Sequence, residues 1–148
     1  MLLYAIKHSD TLVREKLHHM TNETLPEAIE KLKCSKVDWL IAKDVFEHID
    51  PFVLHETLCD ASKLGIKLYV LVPLGDAGRY RIPDYELDAS HIIAENEDWW
   101  CEFFASSGYL VEKLRHKVEG IKEAALPLHH KGNCQFVLKP RKADRVVK

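Results

Sequence analysis

Five side chains in this sequence have the chemistry to move a proton or hold a charged ligand. They fall in two short clusters, Asp44, Glu47 and His48 in one, Asp88 and His91 in the other. Histidine is the natural general base near neutral pH, because its ordinary pKa lies close to neutrality, and this makes His48 and His91 the candidate catalytic residues. Asp44 and Glu47 add carboxylates suited to ligand binding. Asp88 and His91, three residues apart, could join Asp44 and His48 in a hard or borderline metal site. Nothing in the spacing brings the two pairs together in space, so no metal is expected there. Each residue also has a structural alternative: a histidine at a strand-to-helix junction can bond the local backbone, Asp44 can cap a helix, and Glu47 can tie down the loop. These alternatives stay open on the sequence alone.

The elements that must position the first cluster are legible around it. The run Val37-Asp38-Trp39-Leu40-Ile41 is rich in branched and aromatic residues and predicts a buried strand; polar groups gathered where such a strand stops are where open α/β sheets bind ligands. Asp50 can then cap a helix, Pro51 suits its first position, and the stretch from Phe52 to Leu64 places Val53, Leu58, Ala61 and Leu64 on one side. Gly65 ends it, and Ile66 to Pro73 reads as a second strand. A strand, helix, strand unit of this kind is right-handed and parallel, so both strands finish on the same side. Asp44, Glu47 and His48 are therefore expected near Leu74-Gly75-Asp76.

Upstream, residues 2–6 predict a short strand, followed by a helix capped by Ser9 or Asp10 with Leu12, Val13, Leu17 and Met20 as its apolar positions. A second helix is expected from about Thr24, with Pro26 in its first turn and Leu25, Ala28, Ile29 and Leu32 facing the sheet. Pro73 to Glu95 reads as a loop, with Gly75-Asp76-Ala77-Gly78 as turn chemistry, and a connection of that length is commonly functional or mobile. Glu95 to Ser107 predicts a helix with an acidic first turn and Gly108 as its stop. Its stripe of Trp99, Trp100, Phe103 and Phe104 has the spacing of core packing more than of an acceptor pocket. Tyr109 to Arg115 and Cys134 to Lys139 predict an antiparallel edge hairpin on an otherwise parallel sheet. The expected organisation is one α/β domain over residues 1–140 and a basic, disordered tail over 141–148.

A chain of 148 residues can bury about 68–70% of its unfolded surface and needs no covalent staples. The net charge of −2, from 21 basic and 23 acidic side chains, provides no global attraction to nucleic acid or to an anionic membrane, so neither is expected as a partner. Cys34, Cys59, Cys101 and Cys134 show no CxxC spacing and read as reduced thiols. No apolar run approaches a membrane span and the N-terminus lacks the charged start of a signal peptide, so a cytoplasmic location is expected. The adjacent pairs His18-His19 and His129-His130 do not face a common point on a helix and read as surface residues.

Taken in order, these pieces resemble the C-terminal half of class I S-adenosylmethionine-dependent methyltransferases. Strand 37–41 running into Asp44-Val45-Phe46-Glu47-His48-Ile49 is similar to that family's D-V-L-E-H-I segment, and Asp88-Ala89-Ser90-His91-Ile92 is similar to its D-x-x-H-I. Leu71-Val72-Pro73, Ser107-Gly108-Tyr109 and Cys134 to Pro140 fit the later strands, so the likeness spans residues 36–140. It implies a Rossmann-like, mostly parallel sheet with helices on both faces and S-adenosylmethionine as cofactor. It also implies Asp44 and Glu47 on the cofactor side, and His48 or His91 near a small-molecule acceptor. Methyl transfer is an in-line displacement from an activated donor, so proximity and orientation supply most of the catalysis, and a base is needed only where the acceptor arrives protonated.

The chain departs from that pattern in its first part. The family's glycine-rich loop is missing, since the first glycine is Gly65, and the acid that would bind the cofactor's ribose has only Asp10 as a counterpart. The chain then reads either as truncated at its N-terminus or as having lost cofactor binding. The second case suggests a non-catalytic binding or scaffolding module whose exposed sheet edge pairs with another chain, as in a homo-oligomer.

Overall fold

The computed structural model describes residues 27, 29, 30, 37–117 and 131–141. The chain divides into two compact units, Met1–Lys36 and Val37–Lys148. In the first, Glu27, Ile29 and Glu30 are helical, in keeping with a helix starting near Thr24. The strand expected at 2–6, the helix after it, Asp10, Cys34, both histidine pairs and the tail beyond Arg141 lie outside the described residues.

The second unit opens with β1 (Trp39–Lys43). Its apolar composition suggested burial, yet Trp39 is 46% and Ile41 72% exposed, and only Ala42 is buried. The reason is its place in the sheet, since among the described strands β1 pairs with β2 alone. Helix α1 (Pro51–Lys63) forms where expected, with the Asp50 carboxylate accepting the backbone N–H groups of Phe52 and Val53. Its buried face is Leu54, Leu58 and Ala61, one residue round from the expected one, which leaves Val53 and Leu64 exposed. Gly65 closes the helix at φ +77, its N–H bonding Ser62 O while the N–H of Ile66 bonds Ala61 O.

β2 (Lys67–Pro73) pairs parallel to β1, with Trp39 opposite Lys67 and Lys43 opposite Leu71. The stretch expected as a loop is largely structured. A hairpin of β3 (Gly75–Asp76) and β4 (Arg79–Tyr80) turns through Ala77 and Gly78, both at positive φ, and a 3-10 helix spans Pro83–Leu87. Helix α2 (Glu97–Ser106) starts two residues later than expected because Asn96 caps it, accepting the N–H of Trp99.

β5 (Tyr109–Arg115) and β6 (Asn133–Pro140) complete a four-stranded sheet in the order β1-β2-β6-β5. β6 runs antiparallel to both β2 and β5, so one ladder is parallel and two are antiparallel. The expected mostly parallel sheet is thus, among the described strands, only partly parallel. The expected hairpin forms, but β6 sits inside the sheet and only β5 lies at the edge. A centre position suits β6, whose Cys134, Phe136 and Leu138 are fully buried and whose Gln135 is buried between them.

The core gathers Leu54 and Leu58 from α1, Leu68, Val70 and Val72 from β2, Trp100 and Phe104 from α2, and Phe136 from β6. His55 of α1 touches Phe103 of α2, ring centroids 6.0 Å apart, so the two α-helices described in the second unit lie together on one side of the sheet. Of the two helices expected upstream, only Glu27, Ile29 and Glu30 of the second fall among the described residues. No described helix is long and apolar enough to cross a membrane.

Candidate functional site

The site begins where β1 stops. Asp44 takes φ 53, in the left-handed region that few side chains other than Asn and Asp tolerate. Its backbone N–H bonds Leu71 O at 2.9 Å and its carboxylate lies 2.7 Å from Lys43 Nζ. The turn redirects the chain into a 3-10 helix, Phe46–His48, that buries Phe46 and Glu47. The helix-capping role open to Asp44 is filled by Asp50 instead.

The second cluster is stitched onto the first. The carbonyl of Glu47 accepts the N–H groups of both Ile92 and Ile93, at 2.8 and 3.2 Å, which places the His91 ring 4.5 Å from that of His48. The two halves that the spacing could not join therefore meet. Glu47 is bonded by the 92–93 segment rather than by the Leu74-Gly75-Asp76 stretch, where Asp76 is held by Arg81 at 2.7 and 2.9 Å.

Each histidine is oriented through Nδ1. That of His91 is 2.9 Å from Tyr85 O, and that of His48 is 2.9 Å from Ser90 Oγ, while Ser90 Oγ itself donates to Asp88 Oδ1 at 2.5 Å. Tyr80 packs its ring 5.2 Å from His91 and donates its hydroxyl to Ile93 O. The other nitrogens face acids: His48 Nε2 lies 3.9 Å from Glu47 Oε1, and His91 Nε2 lies 3.8 Å from Asp88 Oδ2. Tyr80, Tyr85 and Ser90 were not singled out from the sequence. Only Asp88-x-Ser90, an Asx-turn pattern in which Ser90 N–H bonds Asp88 Oδ1, carried a signal.

Glu47 is the most unusual member. Its residue is 1% exposed, and neither carboxylate oxygen accepts a hydrogen bond from another described residue. Burial pushes its carboxyl above the usual range against the pull of its own backbone N–H; the charge of Asp44 adds to the rise, and the two histidines oppose it. A carboxylate in that setting destabilises the fold. Glu47→Gln, which keeps the shape and adds a donor among acceptors, is expected to raise the unfolding free energy of chelator-treated protein at neutral pH by about 1–3 kcal/mol. Denaturant unfolding measures it, and a loss of similar size would show that the carboxylate is already satisfied.

A separate ion cluster missed in the sequence lies outside this site. Arg81 grips Asp76 and Glu97, the latter at 2.7 Å, and His116 Nε2 is 3.7 Å from Glu97. It fastens the β3–β4 hairpin to the start of α2.

What the main cluster can do follows from donor counting. A carbonyl only accepts, so neutral His91 carries its hydrogen on Nδ1; a serine that has given its proton to Asp88 accepts from His48 Nδ1 in the same way. Both Nε2 atoms are then bare beside a carboxylate, an arrangement fit to take a proton or to hold a cation.

No family model matches the sequence, and no curated protein is significantly similar to it. The fold does have counterparts among solved structures. An enzyme described as a pericyclic reaction enzyme aligns with TM-score 0.52 and 11% identity, over 93% of this chain and 41% of that one. A SAM dependent methyltransferase from Archaeoglobus fulgidus aligns with TM-score 0.55 and 14% identity, over 89% of this chain and 72% of its own. At such identities the likeness is one of fold: the chain has an α/β fold shared with a methyltransferase.

Proposed function

We propose that this chain is an S-adenosylmethionine-dependent methyltransferase domain acting on an unidentified small-molecule acceptor. The observation that carries the reading is the carboxylate and imidazole cluster at the C-terminal end of β1, the edge at which open α/β sheets bind their ligands. The fold shared with a methyltransferase supports it.

The described residues fit one side of such a cofactor. Asp44 stands at the strand end, half-buried beside the exposed Val45, while no glycine precedes Gly65 to cradle the other side. Asp44 would hold the cofactor, and Glu47 would stand behind it as a buried acid. Bound S-adenosylmethionine supplies an electrophilic methyl group on a sulfonium. His48, the more exposed of the two histidines, receives the acceptor's proton on Nε2, and Ser90 and Asp88 hold its ring in place.

Titration calorimetry with S-adenosylmethionine and S-adenosylhomocysteine tests this, with saturable heat expected for both. No heat at millimolar ligand removes catalysis for this chain. A second reading, a non-catalytic module that pairs with another chain, is favoured by the exposure of Trp39 and Ile41 on β1. Sedimentation separates the two: self-association at high protein concentration without cofactor heat supports the module, and a clean monomer counts against it.

A further inference from the structure

We propose that Glu47, His48 and His91 form a binding site for one divalent first-row transition cation, with zinc as the best-matched occupant. One ligating atom from each of the three lies within 4.8 Å of the others. The proposal stands on this cluster alone and does not require the methyltransferase reading, whose proton-accepting Nε2 of His48 the cation would occupy.

Three observations point to a cation. The first is donor poverty: with both Nδ1 atoms committed to Tyr85 O and Ser90 Oγ, the converging atoms are two bare imidazole nitrogens and a carboxylate, all acceptors. Acceptors gathered with no donor among them repel one another unless a positive charge sits between them. The second is Glu47 itself, buried and without a hydrogen bond from any other described residue, although its Oε1 lies 3.9 Å from His48 Nε2. Burying a carboxylate that no other residue bonds destabilises the fold, and a bound cation offsets that cost. The third is the support around the rings. Metal-ligating histidines characteristically donate their other ring N–H to a carbonyl or a carboxylate-linked group, which fixes the tautomer. Tyr85 O does this for His91, and Ser90 backed by Asp88 does it for His48.

The donor set selects the kind of ion. Two imidazole nitrogens with one carboxylate oxygen suit zinc and its borderline neighbours, whereas calcium and magnesium favour oxygen alone. Zinc bonds to such ligands are about 2.0–2.2 Å long, so the three atoms need draw together by only about 1 Å, within reach of small side-chain rotations. The His48 side chain, 30% exposed, leaves the entry path and the open coordination positions on the solvent side.

The test is calorimetric titration of the full chain, freed of metal by chelator, with zinc chloride. One equivalent is expected to bind, and Glu47→Gln and His91→Gln are each expected to weaken it at least ~10–100-fold. Glu47→Gln is expected to fold at least as well as the parent, and if His91→Gln does not fold, His48→Gln replaces it. Cobalt(II) provides an independent readout: ligand-field bands without thiolate charge transfer in the parent, lost in Glu47→Gln. Parent protein that takes up no zinc would mean that the cluster holds only a proton, and the proposal fails. Unchanged affinity in the variants, or a cobalt–thiolate band, would place the metal on other histidines or cysteines and overturn it equally.

Discussion

Trp100→Ala is expected to lower the unfolding free energy by about 3–5 kcal/mol, the range for deleting a large buried aromatic ring from a well-packed core. Trp100 is fully buried and stacks on Phe104 at 5.5 Å, with the edge of Trp99 5.1 Å away. Phe104 in turn meets Phe136 of the central strand at 5.2 Å, so the ring joins α2 to the middle of the sheet. Removing it leaves a cavity that these neighbours cannot close without breaking their own contacts. Urea unfolding reads the effect as a lower midpoint at unchanged slope. Trp100→Phe should recover most of the loss, because it keeps the packing and discards an indole N–H that has no partner among the described residues. A loss under about 1 kcal/mol for the alanine variant would place the core elsewhere.

Gly75→Ala is expected to be damaging for a different reason. A Cβ at this position would stand 2.6 Å from Ala94 C, Ala94 O and Arg79 O, all backbone atoms that cannot swing aside. Overpacking of this kind costs about 1–3 kcal/mol and occasionally more, and the bond from Gly75 N–H to Glu95 O at 2.9 Å would be strained with it. The displacement should also reach the site, because Ala94 directly follows the Ile92-Ile93 pair that anchors on Glu47 O. Both a lower melting temperature and shifted His48 and His91 NMR signals are expected. Gly78→Ala is the control: a Cβ there meets nothing within 4 Å and is strained only by its φ of +78. Unmoved histidine signals in a destabilised Gly75→Ala would break the link between hairpin and site.

Much of the fold was legible because its signals are local. Asp50, Pro51 and Gly65 mark the two ends of α1 through capping chemistry that any three or four residues can display. What the sequence leaves hidden depends on partners far along the chain. Ile41 has the composition of a core residue, and its exposure reflects which strands flank β1, not its own type. The β3–β4 hairpin went unseen because Ala77 occupies a positive-φ position that alanine does not advertise. In the site, Asp44, Glu47 and His48 were visible as a cluster at a strand end. Their union with His91 rests on two amide bonds to one carbonyl, which no spacing encodes.

The position of β6 has a consequence for how the molecule can be made. Its residues pair with β2 on one side and β5 on the other, Leu68 with Leu138 and Val111 with Leu138, so the middle of the sheet is the last of the described strands to be synthesised. Until it arrives, β2 and β5 have no bonded contact with each other, and the aromatic core has no floor. Closing that gap joins residues far apart in sequence, the kind of pairing that slows folding. The chain must therefore hold β5 and α2 in an unfinished state while residues 116–132 are added, until β6 arrives to join β5 to β2.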